Sequence, residues 1–158
     1  MTLPGGGGWF EDFSPGQRWR SARGTTVGEV ENQLLTKLVM NTAQAHFNEH
    51  VMAGSPMGDG RLVFGLVTGS IVIGLATQDT AEHAVAEVGL DGLRFRSPVH
   101  HGDTLYAYTE VVDVAPAADR DDAGVVRFRH WGANQHGVIV FEGDRTVLVE
   151  RRPPEATP

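Results

Sequence analysis

Asn41 and His46 stand five positions apart in the stretch Asn41-Thr42-Ala43-Gln44-Ala45-His46-Phe47-Asn48, and Gly60-Arg61-Leu62-Val63-Phe64-Gly65 follows a short way on. Histidine is a proton-transfer group because its ordinary pKa lies near about 6.5, so both of its forms exist at neutral pH. The asparagine amide can position a water but cannot take its proton. Gly65 opens an apolar, glycine-containing run read as a helix, whose free first-turn N–H groups could hold an oxyanion. A proton carrier, a water-positioning amide and a carbonyl polariser are together what adding or removing water beside a thioester requires.

Each residue also has a plainer reading. His46 could be a helix-end histidine stabilised by the helix dipole, Asn41 a helix cap, and Gly65 a packing glycine. His46 and His50 stand four apart, a spacing that could place two imidazoles on one helix face as metal ligands. Glu49 is not placed as in a His-Glu-x-x-His motif, however, and no third ligand is evident, so no metal site is expected. His100 and His101, before Gly102-Asp103, could touch ligand at a sheet edge, although exposed turn histidines are commoner. Asp79, Glu82 and Glu87 read as solvated surface, and neither a glycine-rich phosphate loop nor a serine nucleophile elbow is present.

The elements that must position these residues follow from apolar periodicity. Trp9-Phe10-Glu11-Asp12-Phe13-Ser14-Pro15-Gly16-Gln17 combines packing aromatics with a turn, and a short strand is expected over Arg20 to Val27. Val30, Leu34, Leu35, Leu38 and Val39 recur at helical spacing, predicting a helix from Gly28 to about Thr42 that delivers Asn41 and His46 near its C-terminal end. Gly54 to Gly60 reads as a flexible connection, a potential lid. Leu62 to Gln78 carries no charge and is apolar on nearly every side, which predicts a helix enclosed by other structure. Gly65, Gly69 and Gly74 cost that helix roughly 1 kcal/mol each relative to alanine, implying close packing or ligand approach as compensation. Strands are expected at Val85 to Val88, Gly92 to Phe95, Thr104 to Val114, Gly124 to Gly132 and Val138 to Arg151. Turns are expected at Asp119-Arg120-Asp121-Asp122 and Asn134-Gln135-His136-Gly137. The order is strand, helix, long buried helix and antiparallel meander, an α+β architecture with helices on one face of one sheet.

The 158 residues suit one domain, set at 9–151 between a flexible lead-in at 1–8 and a disordered tail at 152–158. A net charge of −7 argues against nucleic acid as a partner. The chain has no cysteine, which excludes disulfides and thiolate chemistry and fits a cytoplasmic protein. Met1 to Gly8 does not read as a signal peptide. The uncharged run falls short of the ~20 apolar residues that span a bilayer, and no membrane association is expected.

Four segments resemble the MaoC-like dehydratases, the R-specific enoyl-CoA hydratase family with the hot-dog fold. They are Phe10-Glu11-Asp12-Phe13 with Pro15-Gly16-Gln17; the stretch ending in His46; Gly60 to Gly65; and Arg94-Phe95-Arg96-Ser97-Pro98-Val99 with Gly102-Asp103-Thr104-Leu105. The resemblance runs from Trp9 to Arg151. Gly89-Leu90-Asp91, Gly102 to Tyr106 and Asn134-Gln135 look most like the branch acting on dicarboxylyl-CoA substrates such as mesaconyl-CoA or itaconyl-CoA. The family motif reads aspartate, any residue, asparagine, proline, an aliphatic residue, histidine. Here asparagine stands at the aspartate position, the Asn-Pro pair is absent, and Phe64 occupies a place where the family often has histidine. A one-residue gap would instead align His46 with the aspartate and His50 with the histidine.

The resemblance implies a single hot-dog domain, an antiparallel sheet wrapped around a long central apolar helix. It implies a hydratase or dehydratase acting on an acyl-CoA as a homodimer, with His46 and Asn41 catalytic and Gly65 and Phe64 at the oxyanion and substrate position. No cofactor is implied, since CoA is part of the substrate. Arg94 and Arg96 could attract CoA phosphates or simply lie on a strand's solvent face. Two other activities fit the same fold: a hot-dog acyl-CoA thioesterase, and an acyl-CoA-binding protein without chemistry.

Overall fold

The computed structural model describes residues 8–58 and 60–154. Most of the expected lead-in and tail, and Asp59 of the expected lid, lie outside the described residues. Five strands, β1 (Arg18–Thr26), β2 (Ala84–Phe95), β3 (Thr104–Pro116), β4 (Ala123–Ala133) and β5 (Ile139–Glu150), form one antiparallel sheet in the order β1-β3-β4-β5-β2. Three helices, α1 (Glu29–Leu38), α2 (Glu49–Met52) and α3 (Gly65–Thr80), come from the first half of the chain. The sheet touches α3 with all five strands. This is the α+β hot-dog arrangement.

Residues of β3 alternate buried and half-buried, with Leu105, Ala107, Thr109 and Val111 turned inward, as period-two patterning requires. Only β3, β4 and β5 form a meander, however. β2 pairs with β5 and not with β3, so the expected consecutive meander is corrected. The connection after β2 is pinned by the Arg96 N–H donating to Val140 O and by Val99 O accepting from Val63 N–H, and it carries the chain across the end of the sheet to β3. The two expected short strands are one strand, because Gly92, at φ +60, sits within a register shift and not in a break.

Helix α3 begins at Gly65 and is packed closely against the sheet. A Cβ at Gly69 would lie 2.8 Å from the Phe141 ring, so the absent side chain is what lets helix and sheet approach. Val67, Val72 and Ala76 join Leu105, Ala107, Val140 and Phe141 in one core cluster. Phe13 and Trp19 join Phe128, Val147 and Val149 in a second, which bears out the packing role expected for the N-terminal aromatics. The helix is not enclosed on every side: Leu66, Ser70 and Gly74 are exposed, and nothing lies near Gly74.

Helix α1 departs further from expectation. It ends at Leu38, where the Met40 N–H donates to Lys37 O (2.9 Å) and the Asn41 N–H to Thr36 O (3.1 Å), with Met40 at φ +58. These two bonds close a left-handed cap that usually carries glycine. Methionine there removes the usual stop signal, which is why the helix read four residues too long. Its apolar stripe also faces outward. Val30, Leu34, Leu35, Leu38 and Val39 are all exposed, and the buried positions are Asn32 and Thr36.

Two ionisable side chains, Arg145 and His130, are buried in the sheet. Arg145 is 6 % exposed and forms a two-pronged pair with Glu87 (2.9 and 2.7 Å), which is exposed as expected and serves as its counter-ion. His130 is fully buried, its Nδ1 3.0 Å from Thr109 Oγ1, and burial pushes its pKa down to about 3. An unfolded histidine takes up its proton near about 6.5, so the unfolded state binds the extra proton below that pH and stability falls as pH drops. Lowering the pH from about 7 to about 5 is expected to remove about 2 kcal/mol through this group. Urea denaturation at both pH values should show most of that difference, and His130→Gln should abolish it.

Candidate active site

His46 sits on a separate turn of 3-10 helix, Gln44–His46, and not on α1. Two bonds attach this turn to the strand-like segment before α3: the Leu62 N–H donates to Ala45 O (2.9 Å), and His46 Nδ1 lies 3.0 Å from Leu62 O. A carbonyl can only accept, so Nδ1 carries the hydrogen and Nε2 of the neutral ring is left as the base. The ring lies between two aromatic neighbours, with centroids 5.3 Å from Phe64 and 6.3 Å from Phe47. Its tautomer and its orientation are therefore both set by the fold.

Phe64 is the N-cap residue of α3 and offers no side-chain cap. The N–H groups of the first turn have no intrahelical acceptor, and they carry the positive end of a 16-residue helix. Gly65 opens that turn. A Cβ there would lie 2.9 Å from Phe95 Cδ1, so glycine allows the Phe95 ring to lie directly against the helix start. His46, Phe64, Gly65, Thr68, Phe95 and Arg96 line one cavity of about 440 Å³. Three of the four expected site residues are thus brought together. Arg96 lies at the same cavity and is held by Glu142 Oε2 (2.6 Å), which makes it more than the plain solvent-face arginine allowed for.

Asn41 is placed differently. Its Oδ1 accepts the Ala43 N–H (2.8 Å), and it lines a neighbouring groove of about 540 Å³ with Leu35, Val39, Leu66 and Val67. Phe64 borders both spaces. His50 is exposed on α2, and among the described residues no cluster of three His, Asp or Glu side chains is placed to hold a metal ion. Arg61 links α1 to α2 by pairing with both Glu29 and Glu49, whose hydrogen bonds raise its pKa.

Asn32 was not anticipated, and His101, weighed as a ligand contact or an exposed turn histidine, is instead half-buried behind it. Asn32 is completely buried beside Leu62 and Phe64, and His101 lies 2.9 Å from its Nδ2. The sequence signal for Asn32 was an amide amid helix-spaced apolar residues, a pattern that places it off the apolar stripe. Burial is the leading cause that lowers the pKa of His101, with Glu29 and Glu49 opposing and Arg61 and His100 adding to it.

A family model described as mesaconyl-CoA hydratase matches residues 7–151. The chain belongs to the mesaconyl-CoA hydratase family. It is 34% identical over 155 residues to the mesaconyl-CoA hydratase of Haloarcula marismortui, covering 92% of this chain and 42% of that one. The chain therefore spans less than half the length of that relative. It is also 28% identical to the (R)-specific enoyl-CoA hydratase of Rhodospirillum rubrum, covering 91% of this chain and 93% of that one. Among solved structures, a Mycobacterium tuberculosis protein with a double hotdog fold superposes with a TM-score of 0.81 at 26% identity, over 100% of this chain and 48% of that one.

The glycines of α3 provide a test of the site's packing. Gly65→Ala is expected to destabilise the protein by about 1–3 kcal/mol because the methyl group meets the base of the Phe95 side chain. Gly74→Ala, in open space on the same helix, should stabilise it by about 0.5–1 kcal/mol. Urea midpoints of the two variants check both signs.

Proposed function

We propose that this protein adds water to, or removes it from, an enoyl-CoA thioester. One observation carries the reading: His46, its Nδ1–H committed to Leu62 O, shares a largely apolar cavity with the unpaired N–H groups at the start of α3. In hydration, the water oxygen bonds to the β-carbon while His46 Nε2 takes a water proton. The double-bond electron pair moves toward the thioester oxygen, where the Gly65 N–H opposes the developing charge. His46 Nε2–H then returns a proton to the α-carbon, leaving the ring neutral. Asn41 lines the adjoining groove, its Oδ1 on the Ala43 N–H, and no step is assigned to it. The reaction needs no cofactor, because CoA is part of the substrate.

The substrate class we favour is a dicarboxylyl-CoA such as mesaconyl-CoA, after the family and the relatives named above. Arg96 supports this reading, being the one Lys or Arg among the described residues lining the cavity and thus the counter-charge for a free carboxylate. The partner we infer is a second copy of the chain. Phe95, which packs on Gly65, and Val88, Leu90 and Leu93 are exposed apolar residues of β2, and Phe64 borders the groove formed by Leu35, Val39 and Leu66. An apolar surface of this extent is characteristic of an interaction site.

Mass spectrometry of purified protein with mesaconyl-CoA, itaconyl-CoA and crotonyl-CoA tests the chemistry. The expected result is a gain of one water on the dicarboxylyl thioesters, lost in His46→Ala by a factor of about 10² or more. Release of free CoA without hydration would move the assignment to a thioesterase, and binding without change to an acyl-CoA carrier. For the assembly, sedimentation should show a dimer that Leu35→Asp combined with Val39→Asp converts to a folded monomer. A wild type that sediments as a monomer would refute the second copy.

A further inference from the structure

The side chain of Asn32 makes an unusual set of contacts. Oδ1 accepts the Phe64 N–H (3.0 Å) and lies 3.3 Å from Thr36 Oγ1; Nδ2 lies 3.4 Å from Leu62 O and 2.9 Å from His101 Nε2. The direction of these bonds follows from chemistry. A backbone N–H can only donate, so the amide atom facing Phe64 must be the oxygen, and the one facing Leu62 O and His101 must be the NH₂ group. His101 Nε2 is therefore an acceptor, its ring neutral with the hydrogen on Nδ1.

Leu62 O is the same atom that fixes His46 Nδ1, and Phe64 is the residue immediately before Gly65. One buried amide thus reaches the support of the proton carrier and the support of the carbonyl polariser. We propose that Asn32, held from behind by His101, is a positioning residue that sets the spacing between His46 Nε2 and the Gly65 N–H. It touches no substrate. It acts through the Leu62–Phe64 segment, whose other two N–H groups, those of Leu62 and Val63, donate to Ala45 O and Val99 O. Removing the amide frees the Leu62 and Phe64 peptides to rotate, and a misplacement of about 1 Å in such a pair costs about a hundredfold in rate.

This inference rests on the hydratase reading for its kinetic arm only. Asn32→Asp has the same shape and keeps an acceptor for the Phe64 N–H, but turns both donors into lone pairs facing Leu62 O and His101 Nε2. Its kcat is expected to fall about a hundredfold on the alkaline side of neutrality, with KM changed less than about threefold. The deficit relative to wild type should shrink as pH falls, because a protonated His101 can donate to the new carboxylate. The other charges facing His101 are Glu29, Glu49, Arg61 and His100, and they are the same in both proteins. His101→Leu, which removes the acceptor alone, should lower kcat about tenfold, and His101→Gln, whose side-chain oxygen accepts from Asn32, should recover part of that.

Nitrogen NMR of the imidazoles gives a readout independent of turnover. The expected result is His46 and His101 both in the Nδ1–H form in wild type, with His46 losing that single form in Asn32→Asp. A variant kcat within about threefold of wild type at every pH overturns the proposal and leaves the hydratase reading intact. If wild type turns over none of the thioesters, the hydratase reading falls and the NMR result decides the brace: an unchanged His46 tautomer in Asn32→Asp overturns it. If Asn32→Asp does not fold, equal kcat in His101→Leu and His101→Gln overturns it instead.

Discussion

The constraint on which this fold depends is the need to cover a 16-residue helix that contains one charged residue, Asp79, near its end. No isolated helix of that composition is compatible with water, and five antiparallel strands bury it along Val67, Val72 and Ala76. Coverage is incomplete by construction. The sheet takes one side of α3 and leaves its N-terminus opening into a cavity, so the positive end of the helix faces space that a ligand can occupy. Gly65 and Gly69 permit the close approach, the first to Phe95 and the second to Phe141. The packing that stabilises the domain and the geometry proposed to polarise a carbonyl have the same origin.

The proposed proton carrier is delivered by a different principle. His46 belongs to a short turn with little helical stability of its own, yet its ring is held by a backbone carbonyl and two aromatic neighbours. Short elements persist only when tertiary contacts fix them. The Leu62–Phe64 segment provides these contacts, and it is itself bound to the 3-10 turn, to the residues following β2 and to Asn32. The site is therefore a junction of four chain segments and not a property of one motif. Loss of any one of them moves the others.

Much of the site was legible in the sequence. Residue type alone left His46 open to a plain helix-end role; the resemblance singled out His46, Phe64 and Gly65, and the structure places them around one cavity. Asn41, chosen for the same motif, lies in the adjoining groove, where its side chain also closes a turn. Asn32 was hidden because periodicity reports that a helix has two faces but not which one meets the core. The outer face of α1 is the apolar one, so the buried amide and Thr36 read as the solvent side. The end of α1 was hidden because Met40, and not glycine, takes the left-handed position.

By itself the sequence determined the α+β class, the alternating strands, the start of the central helix and the residue types available for proton transfer. These follow from local rules: side-chain period, turn chemistry and the titration of individual groups. Tertiary structure alone decided that β2 pairs with β5, that the apolar side of α1 faces outward, that buried Arg145 meets exposed Glu87 across β5 and β2, and that Leu62 O sets the tautomer of His46. Each of these joins residues distant in the chain through backbone atoms or buried polar groups. Every residue carries the same carbonyl and nearly every one the same N–H, so side-chain pattern says nothing about which of them meet.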